Sequence, residues 1–344
     1  MKPTALITGA GGLIGGYLVS TAARWAPQWN VRGVTRAEAD LTDPMQVQEL
    51  WRRSTPALVI HCAALSRTGA CEQDPAQARR INVEATERLA GLARDIPFIF
   101  LSTDQVFDGA KGWYVETDAV HPLNVYGQTK AEAEQVVLEN PAHSIVRIAL
   151  TAGTSPTRDR SFVEDMLRTA AKGTKLTLFT DEFRCPLPAG PLVRALWEFA
   201  AQPRAGLYHL GGSERLSRWE IGELLARRYP ELRPWIQPGS VVDYHGPPRP
   251  PDLSMRSDKM QALLSFRLPG FRHWLNSDSS VGDDAWDGSA SGDRLVSEAT
   301  CECTPARFEC RVRREGLSRT ACSVCPHGWW PAGHGRIFFW WPVP

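Results

Sequence analysis

Tyr126 and Lys130 stand four apart in "NVYGQTKAEAEQVVLEN" (124–140), whose spacing predicts a helix, so both fall on one helical face. A tyrosine, with a pKa near ~10, is a poor proton donor or acceptor at neutral pH. A nearby ammonium favours the phenolate and lowers that value, which suits the pair to general acid or base work. Thr103 closes the apolar run "PFIFLST" (97–103). The carboxyl end of a strand is where parallel sheets present ligand-binding groups, and a hydroxyl there can orient a carbonyl. Asp104 and Gln105 come directly after it in "LSTDQVFDG" (101–109). An amide cannot take a proton from carbon at neutral pH. Gln105 is therefore no general base, which leaves proton transfer to the tyrosine and lysine.

A hydride donor has a place to sit. "TGAGGLIG" (8–15) sets Gly9, Gly12 and Gly15 between a strand and a helix that opens with Leu13 and Ile14. Backbone N–H groups at a helix N-terminus attract a pyrophosphate, and glycine lets the backbone approach it closely. The second strand should supply the group that reads the adenosine ribose. There the chain runs "GVTRAEADL", with Arg36 close behind the strand and no acid at its end. NADP(H) is therefore favoured, with NAD(H) as the alternative. Asp40 and Leu41 are candidates to hydrogen-bond and pack against adenine, and Ala63 and Ala64 are small where a third strand would pass under the cofactor.

The elements that must position these groups alternate. "TALITGA", "NVRGVT", "ALVIHCAA", "PFIFLST" and "SIVRIAL" read as strands. Between them, 11–26, 43–53, 74–95 and 124–140 read as helices, the second capped by Asp43. Near-continuous apolar strands alternating with amphipathic helices predict an α/β fold, a doubly wound parallel sheet covered on both faces. After residue 150 the rhythm loosens into helices over 161–173, 189–202 and 217–230, the last with a capping box at Ser217 and Glu220. These pieces predict a smaller C-terminal substrate lobe over 151–275, interleaved with the cofactor-binding domain of 1–150, and a binding cleft between the two. Arg147, Arg184 and Arg249 are candidates for diphosphate or sugar contacts. Arg184 is preferred because it lies in a Pro-bounded loop after a strand.

The 344-residue chain is 43% hydrophobic and 22% charged, as soluble globular proteins are. Its 39 basic and 38 acidic residues leave a net charge of +1, so no basic field exists to hold a nucleic acid. No stretch approaches the roughly 18 apolar residues that span a bilayer, and the N-terminus runs into a Gly-rich turn where a signal peptide would have its apolar core. Neither a nucleic acid nor a membrane is an expected partner. The cytoplasm is the expected compartment, and the sequence leaves monomer and homodimer open.

Gly9, Gly12 and Gly15, then Thr103, then Tyr126-x-x-x-Lys130 resemble the extended short-chain dehydrogenase/reductase superfamily. "LSTDQVFDG", "PLNVYGQTKAEAE" and "RPPDLSMRSDK" are similar to its dTDP-4-dehydrorhamnose reductase branch, over about residues 4–275. The resemblance implies a Rossmann-type domain, NAD(P)H, and reduction of a 4-keto nucleotide sugar. It also implies that Tyr126 protonates the new alkoxide, Lys130 supports it, and Thr103 holds the substrate oxygen. In related 4,6-dehydratases Asp and Glu come after the threonine, whereas the reductases usually carry Tyr after the Asp. Gln105 departs from both, so residues 104 and 105 are expected to touch a sugar that the resemblance does not specify. Two alternatives share many of these motifs: a regulatory binding subunit similar to the beta subunit of methionine adenosyltransferase, and a sugar-nucleotide epimerase.

The last stretch, 276–344, changes character. "NSDSSVGDDAWDGSASGD" is small, polar and acidic, and residues 294–344 mix Cys, Arg, Trp and Pro without period. The stretch reads as a disordered extension or the product of a shifted reading frame. Cys322, Cys325 and His327 have zinc-like spacing, but Cys301 and Cys303 make a poor second pair, so no metal is expected.

Overall fold

The computed structural model describes residues 2–276, and the tail with its cysteines lies outside that range. Six strands form the central sheet: β1 (Thr4–Thr8), β2 (Asn30–Val34), β3 (Leu58–His61), β4 (Phe98–Thr103), β5 (Ser144–Ile148) and β6 (Gly206–Leu210). They pair in the order β6-β5-β4-β3-β1-β2, every ladder parallel. The doubly wound Rossmann-type sheet expected from the sequence is thus present. Its strand order reverses between β1 and β3, and a crevice for ligand opens beyond the carboxyl ends of strands at such a point.

Alternation along the strands shows why both faces are covered. Ala5, Ile7, Leu58, Ile60, Ile99 and Leu101 enter one core with Leu18, Leu192, Leu196 and Trp197. Their sequence neighbours Leu6, Val59, Phe98 and Phe100 enter the opposite core with Leu89 and Val137. Successive side chains point to opposite faces, so a strand buried on both must be apolar throughout. A separate core gathers Val163, Met166, Leu178, Ile221, Leu224 and Phe271. It lies beyond the carboxyl end of β5 in sequence, where the C-terminal substrate lobe is expected.

The helices depart from expectation in detail. The helix read over 11–26 is α1 (Leu13–Ser20) and then a short turn, Ala22–Trp25. At the break the Thr21 hydroxyl donates to the Tyr17 carbonyl at 2.6 Å. A hydroxyl that bonds back one turn competes with the helix ladder and bends it. Helix α2 (Pro44–Ser54) has the expected cap, Asp43 accepting from the Met45 and Gln46 N–H groups. An additional helix, α3 (Thr68–Gln73), comes after β3. The long helix read over 74–95 is interrupted by a π-helical turn, Arg80–Glu84, before α4 (Ala85–Leu92). Helix α5 (Val125–Leu138) carries Tyr126 and Lys130. Among the described residues no helix is long and apolar enough to cross a membrane.

Candidate functional site

The Gly-rich turn is built so closely that side chains are excluded. Gly9 has φ +70°, and a Cβ there would meet the Ala63 nitrogen at 2.8 Å. A Cβ on Gly15 would lie 2.3 Å from the Gly9 carbonyl oxygen. Helix α1 therefore packs directly on the turn. Gly12 is its N-cap, and no side chain caps its first turn. Nor does that turn, which includes Leu13 and Ile14, contain an acid that would repel an anion. A Cβ on Gly11 would meet nothing closer than Thr35 at 3.7 Å, so the outer side of the turn is open. These features fit a dinucleotide pyrophosphate: donors without partners, a positive helix end, and room beside it.

A buried network fixes the floor of this cradle. The Thr86 hydroxyl donates to the Asn82 carbonyl at 2.7 Å, so it accepts from His61 Nε2 at 3.0 Å. His61 Nδ1 then accepts from the Thr8 hydroxyl at 2.6 Å. Thr8 Oγ1 in turn accepts from the Cys62 and Ala63 N–H groups, each at 3.2 Å. Burial, with Lys130 adding, pushes His61 down to about 3, so the ring stays neutral in this role. The chain from Cys62 to Ala64 is thereby pinned under the turn. Asn82, inside the π-helical turn, accepts from Leu65 N–H at 2.8 Å and donates to Thr129 Oγ1 at 2.9 Å. One side chain thus ties the loop after β3 to helix α5.

At the ribose end, Arg36 is exposed and pairs with Asp40 at 3.5 Å. Asp40 accepts from the Thr42 N–H and hydroxyl, which hold its carboxyl below the usual range, with Arg36 adding a smaller pull. Leu41 packs against the core that contains Val34 and Leu50.

Thr103, Asp104, Tyr126 and Lys130 come together at the carboxyl end of β4, all buried. Two residues hold the start of α5: Asn124 Oδ1 accepts from Gly127 N–H at 2.8 Å, and Glu72 of α3 accepts from Val125 N–H at 2.8 Å. The expected lowering of the Tyr126 phenol by Lys130 is not found. Burial dominates and pushes the phenol above its ordinary value, Thr103 pulls it down, and Asp104 and Cys71 add to the rise. Lys130 is engaged elsewhere. Its Nζ donates to the Leu101 carbonyl at 2.6 Å and sits 3.8 Å over the Phe100 ring. Burial pushes this ammonium down to about 7, opposed by Glu134 and Cys62. The phenol is consequently held in its protonated form, the one a proton donor needs.

Asp104 lies against Thr103, whose hydroxyl donates to its Oδ1 at 3.2 Å, while its Oδ2 is buried without a partner. Burial pushes it up to about 6, against Arg184 and the Thr103 bond. Ser102 Oγ is also buried and unpartnered.

Three arginines converge nearby. Glu182 accepts from Arg184 Nη2 at 2.8 Å and from both Arg249 Nε and Nη2, at 2.8 and 2.9 Å. Arg184, expected from the sequence, also donates to the Phe183 and Pro250 carbonyls and is buried. Arg218, at the start of the helix Arg218–Arg228, stacks 5.0 Å over Phe162 and makes no side-chain hydrogen bond or ion pair with the described residues. Burial pushes it down to about 10; Glu182 opposes this, while Arg184 and Arg249 repel it. Glu182 pairs with two guanidiniums while the third has no ion pair among the described residues, a local excess of positive charge suited to a phosphate oxygen. Arg147, the remaining arginine expected here, instead pairs with Glu134 inside the sheet layer at 2.7 Å.

Sequence reading missed Arg218, Asn82, Asn124, Glu72 and His61. Asn124 had a signal, standing just before a helix. The others depend on contacts between elements distant in sequence. Among the described residues no group of three acidic, histidine or cysteine side chains is placed to hold a metal.

Comparison with known proteins gives consistent results. The family model described as RmlD substrate binding domain matches residues 3–278. A dTDP-4-dehydrorhamnose reductase from Aggregatibacter actinomycetemcomitans is 30% identical over 254 residues, 70% of this chain and 85% of that protein. Methionine adenosyltransferase 2 subunit beta from Xenopus laevis is 29% identical over 275 residues, 75% of this chain and 82% of that one. In fold, the chain is similar to the crystal structure of dTDP-4-dehydrorhamnose reductase from Bacillus anthracis in complex with NADP. The TM-score is 0.72 at 23% identity, covering 80% of this chain and 98% of that one.

Proposed function

The chain belongs to the family of the RmlD substrate binding domain, and from that premise we propose that it is an NADP(H)-dependent reductase of a nucleotide-linked 4-keto sugar. The observation that carries the reading is the meeting of a protonated, buried Tyr126 with Thr103 and Lys130 beside a glycine turn that leaves no room for a side chain at Gly9 or Gly15. Reductase relatives at similar identity agree with it.

In this reading the backbone at Gly9, Gly12, Leu13, Ile14 and Gly15 holds the pyrophosphate. Asp40 and Leu41 flank the adenine, Ala63 and Ala64 lie beneath the dinucleotide, and exposed Arg36 favours the 2′-phosphate of NADP(H) over NAD(H). Bound there, the dihydronicotinamide supplies a hydride to the ketone carbon. Thr103 orients the ketone oxygen, and the Tyr126 phenol passes its proton to that oxygen as it becomes an alkoxide. An alkoxide is a far stronger base than a phenolate, so a phenol held above its usual pKa still transfers the proton downhill. Lys130, tethered to the Leu101 carbonyl, is placed to hold the nicotinamide ribose. Residues 151–275 supply the substrate lobe, with Arg218 and Arg184 facing the diphosphate and Asp104 and Gln105 facing the sugar.

The test is consumption of NADPH, against NADH as comparison, on mixing with a 4-keto-6-deoxy nucleotide sugar. Tyr126→Phe should lower kcat by roughly 10²–10⁴-fold, the usual worth of a positioned general acid, with NADPH still bound. Turnover unaffected by that substitution would refute the assignment of Tyr126. NADPH binding with no turnover on any 4-keto nucleotide sugar would favour the binding role named for the methionine adenosyltransferase relative.

A further inference from the structure

Gln105 is held on three sides. Its N–H donates to Thr103 Oγ1 at 3.2 Å. Its carbonyl oxygen presses on the first turn of α5 so closely that a Cβ on Gly127 would meet it at 2.2 Å. Its side-chain Oε1 lies 3.0 Å from Asn124 Nδ2. The polarity of this last bond is set by the helix. Asn124 is the N-cap of α5, and its Oδ1 is taken by the Gly127 N–H. The group it turns to Gln105 is therefore its NH₂, which can only donate. Only the oxygen of Gln105 can receive it, so the Gln105 NH₂ group must face the other way. That group has no protein partner among the described residues, yet it is not sealed from solvent. A neutral group able only to donate is fixed next to Thr103 and just ahead of Tyr126.

We propose that Gln105 is the residue that selects the sugar. Its Nε2 donates to an acceptor oxygen of the ring, a hydroxyl near the carbon being reduced, and Asn124 fixes that polarity through the cap of the helix that carries Tyr126. The proposal rests on the reductase reading above. It makes the favoured substrate class a keto sugar with an oxygen substituent at that position. A sugar bearing a protonated amine there is rejected, because two donors would face each other.

Two substitutions test it, each on the full chain. Gln105→Glu keeps the size and the oxygen that Asn124 needs, but replaces the outward donor with an acceptor. It should raise KM for a 4-keto-6-deoxy nucleotide sugar roughly 10–100-fold, as expected when a hydrogen bond is lost and an oxygen faces an oxygen. By the same reasoning kcat should stay within about threefold and NADPH affinity should be unchanged. Asn124→Asp remains a good cap, so the thermal midpoint should hold, but it withdraws the NH₂ group and frees Gln105 to turn over. KM should rise here too, again with kcat nearly preserved. An unchanged KM in Gln105→Glu overturns the proposal, as does a loss confined to kcat or to NADPH affinity. If the wild-type protein shows no turnover, the reductase reading fails by itself. The Gln105 proposal is then decided by calorimetric titration of the nucleotide sugar into wild type and Gln105→Glu, where equal affinity overturns it.

Discussion

Lys130→Met should stabilise this protein at neutral pH while crippling it. The ammonium is buried, and its pKa falls from 10.5 to about 7. At ~1.4 kcal/mol per pH unit, that fall corresponds to roughly 5 kcal/mol against the charged form. Loss of the Leu101 hydrogen bond and of the contact with the Phe100 ring would offset about 1 kcal/mol each. A net gain of roughly 2–3 kcal/mol at pH 6.5 remains. The folded pKa lies below the unfolded one, so between about 7 and 10.5 the unfolded chain binds the extra proton. Wild-type stability therefore rises with pH across that window, and the penalty is complete below it. The advantage of Lys130→Met should shrink by ~1.4 kcal/mol per unit above pH 7 and reverse near pH 9. Urea denaturation at pH 6.5, 8 and 9.5 measures this directly. In parallel, kcat/KM for NADPH, which reports the free enzyme, should fall in the wild type as pH rises past about 7. A stability difference that ignores pH, or a wild type that weakens between pH 7 and 9.5, would refute the assignment of a strained ammonium at this position.

The same site yields three further expected outcomes. Gly15→Ala would place a methyl group 2.3 Å from the Gly9 carbonyl oxygen; NADPH affinity, read by nicotinamide fluorescence, should drop by roughly 100-fold or more with the far-ultraviolet dichroism retained. Arg218→Ala should raise KM for the nucleotide sugar roughly 10–100-fold, the worth of a hydrogen bond to a charged group, without changing NADPH affinity. Because it removes a charge whose burial, with repulsion from Arg184 and Arg249, outweighs its attraction to Glu182, its thermal midpoint should not fall. Asp104→Asn should stabilise the protein above pH 6, because the folded pKa of about 6 stands above the ordinary 3.8 and the cost of ionising is complete only above the folded value. The gain, up to roughly 3 kcal/mol in denaturant titrations, should vanish as pH falls towards 4.

How much the sequence revealed tracked the range of the interaction responsible. The strands of the sheet and the Gly-rich turn announced themselves because periodicity and glycine spacing are local. Tyr126 and Lys130 were visible as a helical pair, yet their electrostatics were misjudged. Spacing showed that they share a face, but not that Lys130 reaches down to the Leu101 carbonyl while burial governs the phenol. Arg184 was found from its loop, whereas Arg218 was not, since a helix-starting arginine after a capping serine ordinarily faces solvent. Its place against Phe162 and Glu182 depends on how the C-terminal segments fold back. Asn82 lies in "RRINVEATERL", where nothing local marks a π-helical turn, and its partners Leu65 and Thr129 are 17 and 47 residues away.

Several groups that violate ordinary folding rules are concentrated at the candidate site. They are a buried ammonium pushed down to about 7, a carboxyl pushed up to about 6 with one oxygen unpartnered, and, interacting with that carboxyl, a guanidinium with no ion pair among the described residues. The same chain neutralises buried charge elsewhere, as the two-bond pair of Arg147 with Glu134 shows. Here it leaves charge uncompensated. Each uncompensated group has a complement in a dinucleotide and a phosphorylated sugar: cations for phosphate oxygens, a protonated phenol for an alkoxide, unpaired oxygens for hydroxyls. The strain is relieved only when those ligands arrive, so part of it returns as affinity: the misfit groups lower the dissociation constants, and with them raise the stabilisation that a given ligand concentration confers. NADP⁺ and a 4-keto nucleotide sugar together, which cannot react, should raise the midpoint of the wild type more than that of a Lys130→Met, Asp104→Asn double variant at equal ligand concentrations. Equal shifts would show that the misfit groups are incidental to binding.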